Sequence, residues 1–282
     1  MYAAGRLREI DYLVVGHITR DENPQGPILG GPALYASLTA SAFGYQVGLL
    51  TSWAEDLDLP PIENLQVVNY KSEKSTCFTN VYLDSQRTQV ISAVADTLEF
   101  YLVPELWRRA RMVHFAPVAN EIMPDMLRYF SDAFIGISLQ GWLRGWNSEG
   151  QVKSEEWPES SLYLPMADAV VLSDEDVEGD WDRIQRMSAS VPVLVVTKNK
   201  AGAVVLFQGR EELIEGIHTK SVDATGAGDI FSTAFFHWMK FCNDPLAAAK
   251  FANQVAANSV TRTGIASVPS SDELFDLMQE VA

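Results

Sequence analysis

The feature that most constrains this chain is a series of short, almost uninterrupted apolar runs rich in β-branched residues. They are residues 11–16 (DYLVVG), 46–52 (QVGLLTS), 65–70 (LQVVNY), 111–117 (RMVHFAP), 133–139 (AFIGISL), 167–173 (ADAVVLS), 192–198 (PVLVVTK) and 201–207 (AGAVVLF). A strand with one wet face alternates polar and apolar residues, whereas these runs do not, so each is expected to be buried on both faces. Stretches with helical spacing separate them, at 31–44, 103–110, 123–133 and 180–189. That alternation is the βαβ pattern, and it predicts an α/β fold with a mostly parallel sheet sandwiched between two helical layers.

Length and composition bound the rest. The 282 residues suffice for one α/β domain, and no repeat or Pro/Gly-rich linker divides them. A formal charge of −16 and the lack of a basic run argue against nucleic acid or an anionic membrane as a partner. If the ligand is an anion, the site must be made locally positive by backbone amides, a helix N-terminus or a metal ion. Cys77 and Cys242 fall in no metal or redox spacing, and neither a leader nor a membrane span is evident, so the expected location is cytoplasmic. Residues 75–94 break the pattern: two β-rich runs flank a polar turn, DSQR, with no helix between, which makes either a flap or an edge hairpin. Three helices close the chain; Asp244-Pro245 opens the second and the Ser270–Glu273 capping sequence the third.

The device that the charge demands lies at 221–236 (SVDATGAGDIFSTAFF), where Gly226, Ala227 and Gly228 can turn their amides toward an anion at the start of a helix. Asp229 follows in the first helical turn. It is either a general base beside the anion site or an acidic residue that complements the helix dipole.

The DATGAGD stretch resembles the signature of the PfkB/ribokinase family of carbohydrate kinases, with Ala224 where the usual form has Thr. Further stretches match the family in order: VVGHITRD, which places Asp21 at a substrate-binding Asp; GGPALYASLTASAFG, with Gly30 and Gly31 beneath the sugar; VVTKNKAGAVV, with Thr197 and Gly202 at the nucleotide; and FANQVAANSVTRTGIASVP, with Asn253 and Gly264 over the adenine. The resemblance implies a ribokinase-like three-layer α/β/α sandwich over 1–282 with a small β lid built from about 18–30 and 75–95. It implies ATP and Mg²⁺ as cofactors, Asp229 as base, and the 226–228 amides as the anion hole. It also sets Thr225 at the nucleotide and Asp223 near a monovalent cation such as K⁺. An uncovered lid edge leaves a monomer or a lid-mediated homodimer open.

Several positions depart from the family pattern. Where many members carry Asn-x-x-Glu linked to magnesium, this chain has Ser173 and Asp176; Asp176 either holds a metal-bound water or belongs to a helix cap. Asn199 replaces a glycine, and Tyr35 replaces an asparagine in the sugar-facing helix, where it either stacks on substrate or fills the core. In GISLQGWLRGW, Arg144 is what remains of a sugar-binding pattern, and it serves either vicinal hydroxyls or the solvated surface. These features resemble the inositol-kinase-like members most, which implies a small neutral polyol such as a cyclitol or a sugar as acceptor. The alternatives are a nucleoside kinase, with Tyr35 or Phe78 stacking on a base, and a catalytically silent binding protein. His17, His114, His218 and His237 are read as satisfied core or surface residues, and the tryptophans as packing.

Overall fold

The computed structural model describes residues 7–23, 26–83 and 86–281. In chain order the strands are β1 (Tyr12–Val15), β2 (Thr19–Glu22), β3 (Ile28–Gly30), β4 (Val47–Trp53), β5 (Leu65–Lys71), β6 (Thr76–Leu83), β7 (Gln86–Ala93), β8 (Met112–Phe115), β9 (Phe134–Ser138), β10 (Arg144–Trp146), β11 (Val152–Ser154), β12 (Ala169–Ser173), β13 (Val193–Thr197), β14 (Gly202–Phe207) and β15 (Arg210–Glu215). The helices are α1 (Pro32–Ala42), α2 (Ser160–Tyr163), α3 (Trp181–Ser188), α4 (Ala227–Cys242), α5 (Pro245–Ser259) and α6 (Ser271–Val281).

The eight apolar runs all become strands of one nine-stranded sheet, ordered β15-β14-β13-β12-β9-β8-β1-β4-β5. From β13 to β5 every neighbouring pair is parallel; β14 and β15 extend the sheet antiparallel. The side-chain period of two sends Tyr12 and Val14 of β1 to one core, under α1, α4 and α5, while Leu13 and Val15 enter the other. β15 was not legible as a strand. Its sequence, REELIE, is charged because it forms the exposed edge of the sheet, where charge discourages pairing with another chain.

The expected helices at 31–44 and 180–189 are α1 and α3, but those at 103–110 and 123–133 are short 3₁₀ turns, Glu105–Trp107 and Pro124–Tyr129. Pro104 and Met123, each just ahead of its turn, are extended at ψ 137 and ψ 118, and set where the turns begin. Trp107 is fully buried all the same, its ring packed where a side chain at Gly48 would sit. The chain's end follows the sequence closely: Asp244 caps α5 through the Leu246 and Ala247 amides, and Ser270 with Glu273 forms a reciprocal capping box ahead of α6.

A separate four-stranded sheet, β3-β2-β6-β7, forms the lid expected from 18–30 and 75–95. Residues 24–25 of the first segment and residues 84–85 of the DSQR turn lie outside the described residues. Phe78 and Ile91 of this sheet pack on Val118 and Ala119 beyond β8. A two-stranded hairpin, β10–β11, stands beside the lid and had no counterpart in the sequence reading. Among the described residues no helix is long and apolar enough to cross a membrane.

Candidate active site

A cleft of about 1000 Å³ opens between the lid and the carboxyl ends of the parallel strands, the position where open α/β sheets bind ligands. It is lined by Asp21, Gly31, Tyr35, Arg144, Asp176, Thr197, Gly202, Thr225, Gly226, Ala227, Gly228, Asp229 and Asn253, so it gathers most of the residues singled out from sequence. Gly30 and Asp223 stand behind its wall.

The head of α4 forms the floor. Gly226 is the N-cap and takes the left-handed conformation, φ 77, which a residue with a Cβ adopts at a cost. The Ala227 amide is already engaged, donating to the Ala224 carbonyl at 3.2 Å. This corrects the expectation that all three amides converge on a ligand: among the described residues, those of Gly226 and Gly228 are the ones with no protein acceptor. A Cβ built on Gly228 would meet nothing within 4 Å, so the space before it belongs to the cleft. Asp229 stands in the first turn, half-buried. Burial pushes its carboxyl up to about 7; the Arg144 guanidinium pulls the other way, and Asp176 adds to the rise.

Tyr35 of α1 lies beneath this turn, 1% exposed. A Cβ on Gly226 would come within 2.5 Å of its ring, so ring and turn are in direct contact. Burial and the carboxylates of Asp229, Asp223 and Asp21 push its phenol well above the ordinary range. Tyr35 is therefore the sill between the two ends of the cleft and offers no free face for stacking.

On the lid side, Asp21 of β2 accepts a hydrogen bond from the Thr19 hydroxyl at 2.9 Å. Gly30 lets that carboxylate approach, since a Cβ there would lie 2.5 Å from an Asp21 oxygen. Gly31, at φ 94, turns the chain into α1. Arg144 is half-buried, donates to the Val118 carbonyl at 3.2 Å, and lies over the Phe78 ring at 5.6 Å. Phe78 is 2% exposed with that face covered, which corrects its candidacy as a base-stacking aromatic.

On the opposite side, Ser173 and Asp176 form a capping box over a 3₁₀ turn: the Asp176 carboxylate accepts from the Ser173 amide at 2.8 Å, and the Ser173 hydroxyl accepts from Glu175. The other Asp176 oxygen accepts from the Gln140 side-chain amide at 3.2 Å. Burial raises the Asp176 carboxyl, against the opposing pull of Arg144 and these hydrogen bonds. Gln140 was missed because it reaches Asp176 from a 3₁₀ turn (Leu139–Leu143) 36 residues away. Thr197 ends β13 and donates to the Leu172 carbonyl; Asn199, at φ 48, donates to Glu175. Gly202 is needed for the close approach of β15: a Cβ would stand 2.1 Å from the Ile214 carbonyl oxygen. Asn253 of α5 donates to the Glu215 carbonyl at 2.7 Å. Asp223 braces the loop ahead of α4, accepting from the Thr225 amide at 2.9 Å and the Gly264 amide at 3.3 Å.

No cluster of three or more His, Cys, Asp or Glu side chains suited to holding a metal occurs among the described residues. Asp176, whose carboxylate already accepts from the Ser173 amide and Gln140, is the oxygen donor that would suit the water of a magnesium ion carried mainly by ligand phosphates. His17 and His114 are satisfied core residues: His17 meets the Thr76 hydroxyl and the Asp96 carbonyl at 2.7 and 2.9 Å, and His114 lies between Tyr12 and Ser138.

Residues 167–272 match the sequence model of the pfkB family carbohydrate kinase. A fructokinase from Escherichia coli is 26% identical over 140 residues, which are 44% of this chain and 45% of that protein. A ribokinase from Bacillus subtilis (strain 168) is 35% identical over 86 residues, 30% of this chain and 29% of that protein. The matched stretches thus span less than half the length of these relatives. A pyrophosphate-dependent kinase in the ribokinase family, solved with a pyrophosphate analog and myo-inositol, superposes with a TM-score of 0.77 at 19% identity, covering 94% of this chain and 99% of the other. The fold is ribokinase-like.

Proposed function

We propose, from the membership of residues 167–272 in the pfkB family of carbohydrate kinases, that this chain transfers a phosphoryl group to a hydroxyl of a small neutral polyol, a cyclitol such as myo-inositol or a sugar. The observation that carries the reading is Asp229: a carboxylate raised to about 7, in the first turn of α4, beside two glycine amides with no acceptor among the described residues. An acid needed merely to complement a helix dipole would remain fully ionised and solvated. A base that takes a proton from an attacking hydroxyl works best with a pKa near the working pH.

The acceptor lies over Tyr35, with Asp21, Thr19 and Arg144 meeting its hydroxyls. Its attacking oxygen faces Asp229, which takes the proton as the bond to phosphorus forms and the bond from phosphorus to the donor's bridging oxygen breaks, the remainder of the donor leaving as the shortened phosphate. The Gly226 and Gly228 amides and the positive end of α4 stabilise the charge on the transferred group, in a reaction made mainly of positioning and electrostatics. Asp176 would hold the water of a bound magnesium ion, which would neutralise phosphate charge. The lid keeps water from the reacting phosphate. A neutral acceptor suits this end of the cleft, where Arg144 is already balanced by Asp229 and Asp176.

ATP is the proposed donor. The cleft is lined as well by Ile217, Thr219, Asn253, Ala256 and Ala257, a surface that pyrophosphate does not need and that a nucleoside would use. Lys198 and Lys200 also line the cleft and favour pyrophosphate as the second reading. The nucleoside-acceptor reading loses support, because the rings of Tyr35 and Phe78 are both covered.

The test measures product formation with MgATP or magnesium pyrophosphate, with and without K⁺, against myo-inositol, ribose, fructose and adenosine. Turnover with a polyol, reduced about 10² to 10⁴-fold in Asp229→Asn, is expected. Retained turnover in that variant removes Asp229 from the mechanism. Ligand binding by calorimetry without product from either donor would favour a silent binding protein.

A further inference from the structure

The β10–β11 hairpin touches both the lid and the reacting end of the cleft. At its tip the Ile91 amide of β7 donates to the Gly150 carbonyl at 2.8 Å, and Val90 forms a bridge with Gln151. The tip is rigid: the Asn147 side chain accepts from the Glu149 and Gln151 amides and donates to the Gln151 side chain. At its base Arg144 pairs with Ser154, whose hydroxyl donates to the Asp176 carbonyl at 2.7 Å and accepts from Arg183. A second contact runs directly from the lid, where Phe78 of β6 presents its ring to the Arg144 guanidinium at 5.6 Å. Every link from lid to hairpin to Arg144 is a direct contact between residues held by further bonds.

We propose that the β10–β11 hairpin is the latch of the lid, and that Gly150 and Phe78 are positioning residues that set Arg144 against the acceptor only when the lid is down. The inference rests on the kinase reading above and adds to it the means by which lid position governs acceptor binding. Gly150 suits the role in two respects. It sits at φ 78, and a Cβ there would stand 2.3 Å from the Ile91 carbonyl oxygen, so no side chain permits the lid strand to approach this closely. The Phe78 ring supplies an aromatic face to the Arg144 guanidinium, which also donates to the Val118 carbonyl at 3.2 Å, and such contacts strengthen when desolvated.

The test compares Gly150→Ala, Phe78→Leu, Phe78→Tyr, Arg144→Gln and the Gly150→Ala/Arg144→Gln pair in the full chain. Amide exchange is read at the peptide containing Ile91 and at residues 140–154. Steady-state constants are read for the best acceptor and donor of the preceding assay. We expect Gly150→Ala to speed exchange in both segments and raise the acceptor KM about tenfold, the loss of one contact to a charged group, with the donor KM unchanged. Phe78→Leu should do the same to the acceptor KM, and Phe78→Tyr, which keeps an aromatic face, should restore it. In the Arg144→Gln background, Gly150→Ala should add nothing to KM. Additive effects in the pair, equal rises in acceptor and donor KM, or faster exchange confined to the Ile91 peptide would each overturn the proposal. Should the native chain turn over no acceptor, the kinase reading fails, and the latch is judged by exchange alone: coupled acceleration at 140–154 sustains it, and its absence overturns it.

Discussion

Replacing Gly226 by Ala tests the geometry of the α4 turn. The added Cβ would lie 2.5 Å from Tyr35 ring carbons, against 3.4 Å for the near edge of ordinary contact, so ring and turn must separate by 3.4 − 2.5 = 0.9 Å. Tyr35, 1% exposed on α1 and packed against the head of α4, has nowhere to recede, so the turn must move. Keeping the left-handed conformation with a Cβ costs a further ~1–2 kcal/mol. A misplacement of about 1 Å at a phosphoryl cradle is worth roughly 10²-fold in rate. Gly226→Ala should therefore lower kcat about 100-fold and Tm by about 2–8 °C. Gly228→Ala is the matched control. Its Cβ meets no protein atom within 4 Å, so Tm should hold while the donor KM rises, because the methyl occupies ligand space. Initial rates at varied donor and acceptor, with thermal melts of each variant, decide the matter. A Gly226→Ala protein with kcat within about threefold of the native value would refute the proposed use of this turn, as would a Gly228→Ala protein that melts as early as Gly226→Ala.

Other outcomes follow from the charges and close contacts. With the Asp229 carboxyl at about 7, kcat should fall as pH drops through that value, and a pH–rate profile flat down to pH ~5 would exclude it as the base. Because the folded protein retains a proton on Asp229 that the unfolded chain has released between about pH 4 and 7, this residue's contribution declines as pH rises; Asp229→Asn should raise Tm at pH 8 and leave it little changed at pH 4. The buried histidines act in the opposite sense. His114 and His237 are held down to about 3 and about 4, so the native state binds fewer protons than the unfolded one, and melts should come earlier as pH falls below the ordinary histidine value of 6.5. Replacement of His237, the less buried of the two, by Asn should flatten that decline. Gly202→Ala, facing the Ile214 carbonyl at 2.1 Å, should destabilise by at least ~2 kcal/mol in denaturant melts.

Much of this protein is written in local sequence. Uninterrupted apolar runs specify doubly buried strands, because no polar alternation exists to give them a wet face. Asp244-Pro245 and Ser270–Glu273 specify helix starts, because caps act within one turn of the chain. The GAGD stretch locates the head of α4 for the same reason, since left-handed glycine and first-turn acid are neighbours in sequence. Where local signals were weak or outranked, the tertiary structure decided. Two expected helices, at 103–110 and 123–133, are 3₁₀ turns, and the charged β15 became a strand through pairing with β14. The contacts that give the cleft its chemistry are the least local of all: Tyr35 under Gly226, Gln140 on Asp176, Phe78 on Arg144, and Gly150 on Ile91. No periodicity or spacing encodes such pairs, because their members meet only after the sheet has formed and the lid has folded across it. Residue types at the site follow from the sequence; the pKa of Asp229, the burial of Tyr35 and the engagement of the Ala227 amide come from what the fold packs around them.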